Sequence, residues 1–249
     1  MYISDNVKEL CSKIDDGIEL CQRRHKPYFF SFMSETKQYQ AQQHLKSVCF
    51  ENYLFFGGYK NSERKILGLF YDSLDEDSFP LSALEFSFRR CDKLTHRDFL
   101  GALMSLGIER ETVGDILVED GRCIVFVKSE LEDYISSQIF KIGNVGVKIK
   151  PADLSDIPKG RGISENTLVV SSLRLDNIVA AVCRLSREKT RQLILSGSVC
   201  VNYAETKNVS CNLKPDDVFS IRGKGKFILR AVFGTTGKGR LKISVLYFR

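Results

Sequence analysis

The sequence predicts an α+β chain of three modules, and three observations predict it. Residues 80–149 alternate between strand-like and helix-like spacing in the order strand, helix, strand, strand, helix, strand. Residues 172–227 read as two short helices followed by short strands and tight turns. Charge divides the chain: residues 166–249 hold fifteen Lys or Arg against five Asp or Glu, a net +10, whereas residues 1–165 sum to −4 beneath a whole-chain charge of +6. A basic module joined to a slightly acidic remainder points to a polyanionic partner, because neutralising phosphates releases condensed counterions. At 249 residues and 43% hydrophobic, the chain is long enough for two or three cores.

The first module, residues 1–75, opens with a helix over 5–23 whose Val7, Leu10, Cys11, Ile14, Ile18 and Cys21 form one stripe. A second helix runs from Ser34 to Lys46. Two strands, 48–56 and 65–71, flank Gly57-Gly58-Tyr59-Lys60-Asn61-Ser62, a hairpin with glycine-rich turn chemistry. The acidic, polar stretch 72–78 is the boundary.

The second module, residues 76–152, begins with a strand over 80–89 that sets Leu84, Phe86 and Phe88 on one side. Thr95 caps a helix ended by Gly107; strands 113–118 and 123–127 surround Glu119-Asp120-Gly121-Arg122; Ser129 caps a helix to Phe140; and 145–149 closes as a strand. That order is a ferredoxin-like split unit, the topology RNA-recognition domains also use, although no ribonucleoprotein aromatic motif is present. Arg89, Arg90, Lys93 and Arg97, with Arg110 beyond them, cluster in sequence and are candidates for a secondary RNA contact; the bland alternative is ordinary charged surface.

Residues 153–169 read as a linker, and 170–249 as the basic module. Leu175, Ile178, Val179, Val182 and Cys183 share a helix face. Ser186 caps a second helix with Thr190, Leu193 and Ile194 inward and Arg187, Lys189 and Arg191 outward, and Gly197 suits its left-handed C-terminal cap. A short strand over 199–201 leads to Asn202; Leu213-Lys214-Pro215-Asp216-Asp217 reads as a turn into a strand over 218–222. Gly223-Lys224-Gly225-Lys226 puts two amines on backbone with little side-chain cover, able to approach phosphates, and Gly237-Lys238-Gly239-Arg240 repeats the chemistry.

Arg174-Leu175-Asp176, Leu185-Ser186-Arg187, the Gly197-x-Val199-x-Val201-Asn202 run, Asp217-Val218 and Ile221 together resemble the S-four RNA-binding domain, over roughly residues 170–230. With that resemblance, the RNA-binding set is Arg174, Ser186, Arg187, Lys189, Arg191, Asn202, Arg222, Lys224, Lys226, Lys238 and Arg240, led by Arg187 and Arg191, one helical turn apart. Ser198 and Cys200 stand where members often carry a basic residue, which weakens the short strand as a contact.

Catalytic readings find less support. Arg174-Leu175-Asp176 also resembles the aspartate motif of pseudouridine synthases, but here it opens the binding domain's first helix. His96-Arg97-Asp98 resembles a kinase catalytic loop without the preceding glycine-rich loop. No adenylate-forming synthetase signature accompanies the S-four pattern. His25, His44 and His96 form no ligand-spaced pair, and eight scattered cysteines (11, 21, 49, 91, 123, 183, 200, 211) contain no Cys-x-x-Cys, so no metal or other cofactor is expected. Free thiols fit a reducing cytoplasm, and no signal peptide or long apolar run suggests export or a membrane.

Across the whole chain, Gly57-Gly58-Tyr59, Glu63-Arg64-Lys65, Leu94-Thr95-His96-Arg97-Asp98-Phe99-Leu100-Gly101, Leu106-Gly107-Ile108, Gly114-Asp115-Ile116-Leu117 and Gly143-x-x-Gly146 resemble the bacterial YlmH proteins. The resemblance implies a cytoplasmic, non-enzymatic RNA-binding protein. Its implied partners are rRNA and tRNA on large ribosomal subunits carrying obstructed peptidyl-tRNA, in ribosome-associated quality control, with no small-molecule substrate. The alternatives are an RNA-modifying enzyme anchored by its S-four domain and a division-associated interaction protein.

Overall fold

The computed structural model describes residues 5–158, 163–237 and 239–248. They divide into two compact units, Met1–Gly160 and Arg161–Arg249.

The first unit starts with α1 (Asp5–Arg24), β1 (Tyr28–Met33), α2 (Glu35–Ser47), β2 (Tyr53–Phe56) and β3 (Lys65–Leu69), with the three strands in the order β1-β3-β2. Strand β1 was not anticipated. Its sequence, Tyr-Phe-Phe-Ser-Phe-Met, shows no alternation because both faces are covered: Met33 joins the core under α1 and α2, and Phe32 joins a second core on the other side. The expected strand over 48–56 is shorter, because residues 48–52 terminate α2 and turn the chain back.

There follow β4 (Leu81–Ser87), α3 (His96–Ser105), β5 (Val113–Glu119), β6 (Arg122–Lys128), α4 (Glu132–Gln138), a two-strand hairpin of β7 (Lys141–Ile142) and β8 (Val145–Gly146), and β9 (Lys148–Pro151). The four long strands form one antiparallel sheet in the order β5-β6-β4-β9. Ser129 does not cap α4; it opens a single 3-10 turn that runs into the helix. The expected last strand over 145–149 splits into β8 and β9.

Side chains alternate across this sheet. Leu84, Phe86, Cys123, Val125 and Val127 face the core shared with α3 and α4. Ile124 and Phe126 face the other way, into a core with Phe32, Ile66, Phe70 and Phe79. The sheet is therefore covered on both faces, and the first two modules join through a common apolar core. Gly58, at φ +94°, lets the turn lie against the Phe126 ring, and Tyr59 stacks on that ring with centroids 5.1 Å apart.

The second unit holds β10 (Ile163–Val170), α5 (Leu175–Cys183), α6 (Arg187–Leu195), β11 (Val199–Val201), β12 (Ala204–Glu205), β13 (Val218–Ile221), β14 (Gly225–Thr235) and β15 (Leu241–Phe248). Its six strands run in the order β10-β15-β14-β13-β11-β12. Residues 163–169, read from sequence as linker, belong to β10, which pairs with β15 from Ile163↔Phe248 to Val170↔Leu241. Its first half, Ile-Ser-Glu-Asn-Thr, is polar, and its partner lies more than seventy residues away, so nothing local marks it as a strand. Leu175, Ile178, Val179 and Ile194 from the two helices pack on Phe219, Leu229 and Ile243. Phe219, Phe227 and Tyr247, neighbours across β13, β14 and β15, stack in a row at 5.2 and 4.9 Å.

Candidate nucleic-acid interface

The sequence-derived contact residues of the second unit fall into two groups. Four hold the fold. Arg174 precedes α5 and grips Asp176 with two bonds, Nε to Oδ1 at 3.1 Å and Nη2 to Oδ2 at 2.9 Å. That guanidinium is the main reason the Asp176 carboxyl titrates below its ordinary value. Ser186 caps α6, accepting from the Lys189 amide at 3.4 Å. Asn202 has φ +47°; its amide donates to Asp217 at 2.9 Å and its carbonyl accepts from the Val218 N–H at 3.0 Å, tying β11 to β13. Lys226 lies in β14 rather than in the turn, with its ammonium 4.3 Å from the Phe248 ring centroid.

The others among the described residues are exposed. At about 100° per residue, Arg187 and Arg191 lie together on one flank of α6 and Lys189 on the opposite flank. Gly197 takes the expected left-handed conformation, φ +73°, and turns the chain into β11. Arg222 and Lys224 sit in the tight β13–β14 turn; the Arg222 amide donates to the Ser198 carbonyl at 2.9 Å, anchoring that turn beside the α6–β11 connection. Lys224 reaches the end of α5: burial pushes the Cys183 thiol up, and the Lys224 ammonium partly opposes that shift. Arg184, absent from the sequence-derived set, joins the two helices in a left-handed conformation, φ +53°, and is exposed. Its position immediately before the Leu185-Ser186-Arg187 run was the one available signal.

Among the described residues, the side chains of Arg184, Arg187, Lys189, Arg191, Arg222 and Lys224 form no ion pair or hydrogen bond. Arg240 is exposed in the β14–β15 connection, and Lys238 lies outside the described residues. Unpaired amines and guanidinia on a helix flank and an adjoining turn can take phosphate oxygens without first breaking an internal bond.

The first unit treats its basic residues differently. Arg89 is held by Asp92, and Lys93 by Asp120 at 3.1 Å. Arg110 turns inward to the carbonyls of Val113 and Gly114. Arg90 and Arg97 remain exposed. Asp98 accepts from both the amide and the hydroxyl of Thr95, which lowers its pKa and makes it the cap partner of α3 rather than a base. Among the described residues, no group of His, Cys, Asp and Glu could hold a metal ion, and no helix is long and apolar enough to cross a membrane.

Two mixed α/β units, one with an unpaired basic face, define the class of protein. Residues 75–156 match the family model described as "Putative RNA-binding domain in YlmH". The ribosome-associated protein quality control protein P2 of Bacillus subtilis (strain 168) is 34% identical over 196 residues, 76% of each chain. The chain belongs to the YlmH family. Its fold is similar to that of the cell division protein ylmH from Streptococcus pneumoniae, with a TM-score of 0.56, 18% identity, and 64% of this chain and 98% of that chain covered. A stretch of 68 residues is 41% identical to the small ribosomal subunit protein uS4 of Dictyoglomus thermophilum, covering 26% of this chain and 33% of that protein.

Proposed function

We propose that the chain is a non-enzymatic RNA-binding factor of ribosome-associated quality control, acting in the cytoplasm on large ribosomal subunits that carry obstructed peptidyl-tRNA. In this reading residues 170–249 are an S-four domain, and residues 76–152 are a ferredoxin-like domain with a second RNA contact. The observation that carries it is the set of unpaired cations on α6, the α5–α6 junction and the β13–β14 turn, in a chain related to a quality control protein and, in part, to a ribosomal protein. Phosphate contacts position a protein without reading sequence. Specificity for a blocked subunit then needs rRNA and tRNA bound together, and tethering two weak sites raises avidity by roughly a hundredfold or more.

The enzyme reading has little chemical support. Asp176, which matched the pseudouridine-synthase motif, has its carboxylate bound by Arg174, and Asp98, which matched the kinase-loop motif, is bound by Thr95. Two experiments test the proposal. Tagged full-length protein should recover large subunits enriched in peptidyl-tRNA; equal recovery of empty subunits would reduce the role to general RNA binding. Mass spectrometry of rRNA and tRNA should find the same modifications with and without the gene.

A further inference from the structure

The covered sheet leaves the second module without the open face on which bases stack in RNA-recognition folds, since Ile124 and Phe126 point into the core with Phe32 and Ile66. Its most exposed aromatic lies elsewhere. Phe140, 70% exposed, ends the segment after α4 and stands beside a groove of about 480 Å³ at the β4–β9 edge of the sheet. The groove is lined by Ser87, Phe88, Arg89, Phe140, Val147 and Lys148.

Local structure fixes this aromatic in place. The β7–β8 hairpin turns at Gly143, φ +57°, and returns Val147, whose amide donates to the Phe140 carbonyl at 2.9 Å. Val147 is itself buried in the core, so the backbone beneath the ring is rigid. An exposed phenylalanine on a rigid support gains nothing for the fold. Positive charge surrounds it. Lys141 and Lys148 are exposed and, among the described residues, unpaired. Arg89 is 78% exposed, while the Asp92 that holds it is 16% exposed, so the guanidinium faces out and the carboxylate is tucked behind.

We infer that this groove is a stacking site for an unpaired base of single-stranded RNA, with the base on Phe140 and the flanking phosphates on Lys148, Lys141 and Arg89. The inference rests on the RNA-binding reading above and assigns that module's contact to one place. Aromatic stacking suits any base, and the adjoining cations suit a phosphate backbone.

The chain contains no tryptophan, so Phe140→Trp introduces a single indole reporter. Titrating that full-length variant with a short single-stranded RNA should quench the indole emission. Phe140→Ala should bind the same RNA roughly tenfold more weakly, Phe140→Tyr should restore binding, and all three should melt like the wild type. No quenching together with unchanged affinity of Phe140→Ala would overturn the site, as would quenching by an acidic peptide but not by RNA. Ribosome co-sedimentation, measured on the same variants and on Arg187→Ala with Arg191→Ala, keeps the two readings separate: a failed groove leaves the arginine-dependent signal intact.

Discussion

Tyr59 donates its hydroxyl hydrogen to the Asp115 carboxylate at 2.8 Å, and this bond links the first two modules. The same carboxylate accepts from the amides of Glu63 at 2.7 Å and Arg64 at 3.0 Å. Arg64 then donates to the carbonyls of Val113, Phe32 and Arg110. Burial, and then the adjacent Asp115 charge, push the Tyr59 phenol well above its ordinary pKa, so it stays a donor. Asp115 is only 8% exposed, and a buried carboxylate is tolerated because these donors satisfy it.

Removing the acceptor should cost more than removing one donor. Tyr59→Phe should lower stability by about 1–2 kcal/mol, and Asp115→Ala, which strands two amides and a hydroxyl, by about 3 kcal/mol or more. Denaturant unfolding measures both. Equal costs would mean that the hydroxyl alone carries the link.

Gly58→Ala should be as damaging as a core substitution. A Cβ there would come within 2.4 Å of the Phe126 ring, which is fully buried, and the backbone already stands at φ +94°. Overpacking and a strained φ together should cost about 2–4 kcal/mol. Thermal melting checks it.

Acid should weaken the chain through its bonded carboxylates. Asp176 is held below its ordinary pKa mainly by Arg174, and Glu111 mainly by Lys37. A depressed folded pKa means stability that is present above the unfolded value, about 4, and is lost as pH falls through the folded one. Melting temperature should drop below about pH 4. Asp176→Asn should flatten that drop slightly, since a part-exposed pair contributes under about 1 kcal/mol. A melting temperature that rises on acidification would contradict the assignment.

Arg187→Ala with Arg191→Ala should weaken ribosome co-sedimentation while changing stability by no more than about 0.5 kcal/mol per site, because both are exposed and unpaired. Losing two phosphate contacts should also flatten the salt dependence of RNA affinity, by roughly 0.7–0.9 per contact in the log–log slope. Unchanged binding would remove these residues from the interface.

In the second unit the local signals of the sequence held and the non-local ones did not, whereas in the first unit even a local one failed, since Ser129 does not cap α4. Ser186, Gly197 and the α5 and α6 stripes act within one or two turns of chain, and all form as read. The exposed arginines of α6 follow from the same periodicity. Side-chain partners were hidden: Asn202 and Arg174 look like surface polar residues until Asp217 and Asp176 are placed beside them. Phe140 carried no signal, because an aromatic at a helix end reads as core unless its exposure is known. Strands β1 and β10 lack alternation for opposite reasons, one being covered on both faces and the other being half polar.

The β10 case gives a sharp test of where the second unit begins. A fragment starting at residue 171 cuts one residue inside the boundary at 170 read from local sequence; one starting at 161 follows the compact unit. The shorter fragment loses every pair from Ile163↔Phe248 to Val170↔Leu241 and strips the outer edge of β15. It also removes Val170 from the core beside Ile243 and Val245, and it removes Glu165, the acceptor for the buried Ser244 hydroxyl. A bare edge invites pairing with other chains. The fragment 161–249 should therefore melt cooperatively as a monomer, whereas 171–249 should aggregate or melt broadly, as light scattering and circular dichroism would show. Matching cooperative melts would make β10 an accessory strand, and the unit would then be held by its helices and the β11–β15 sheet alone.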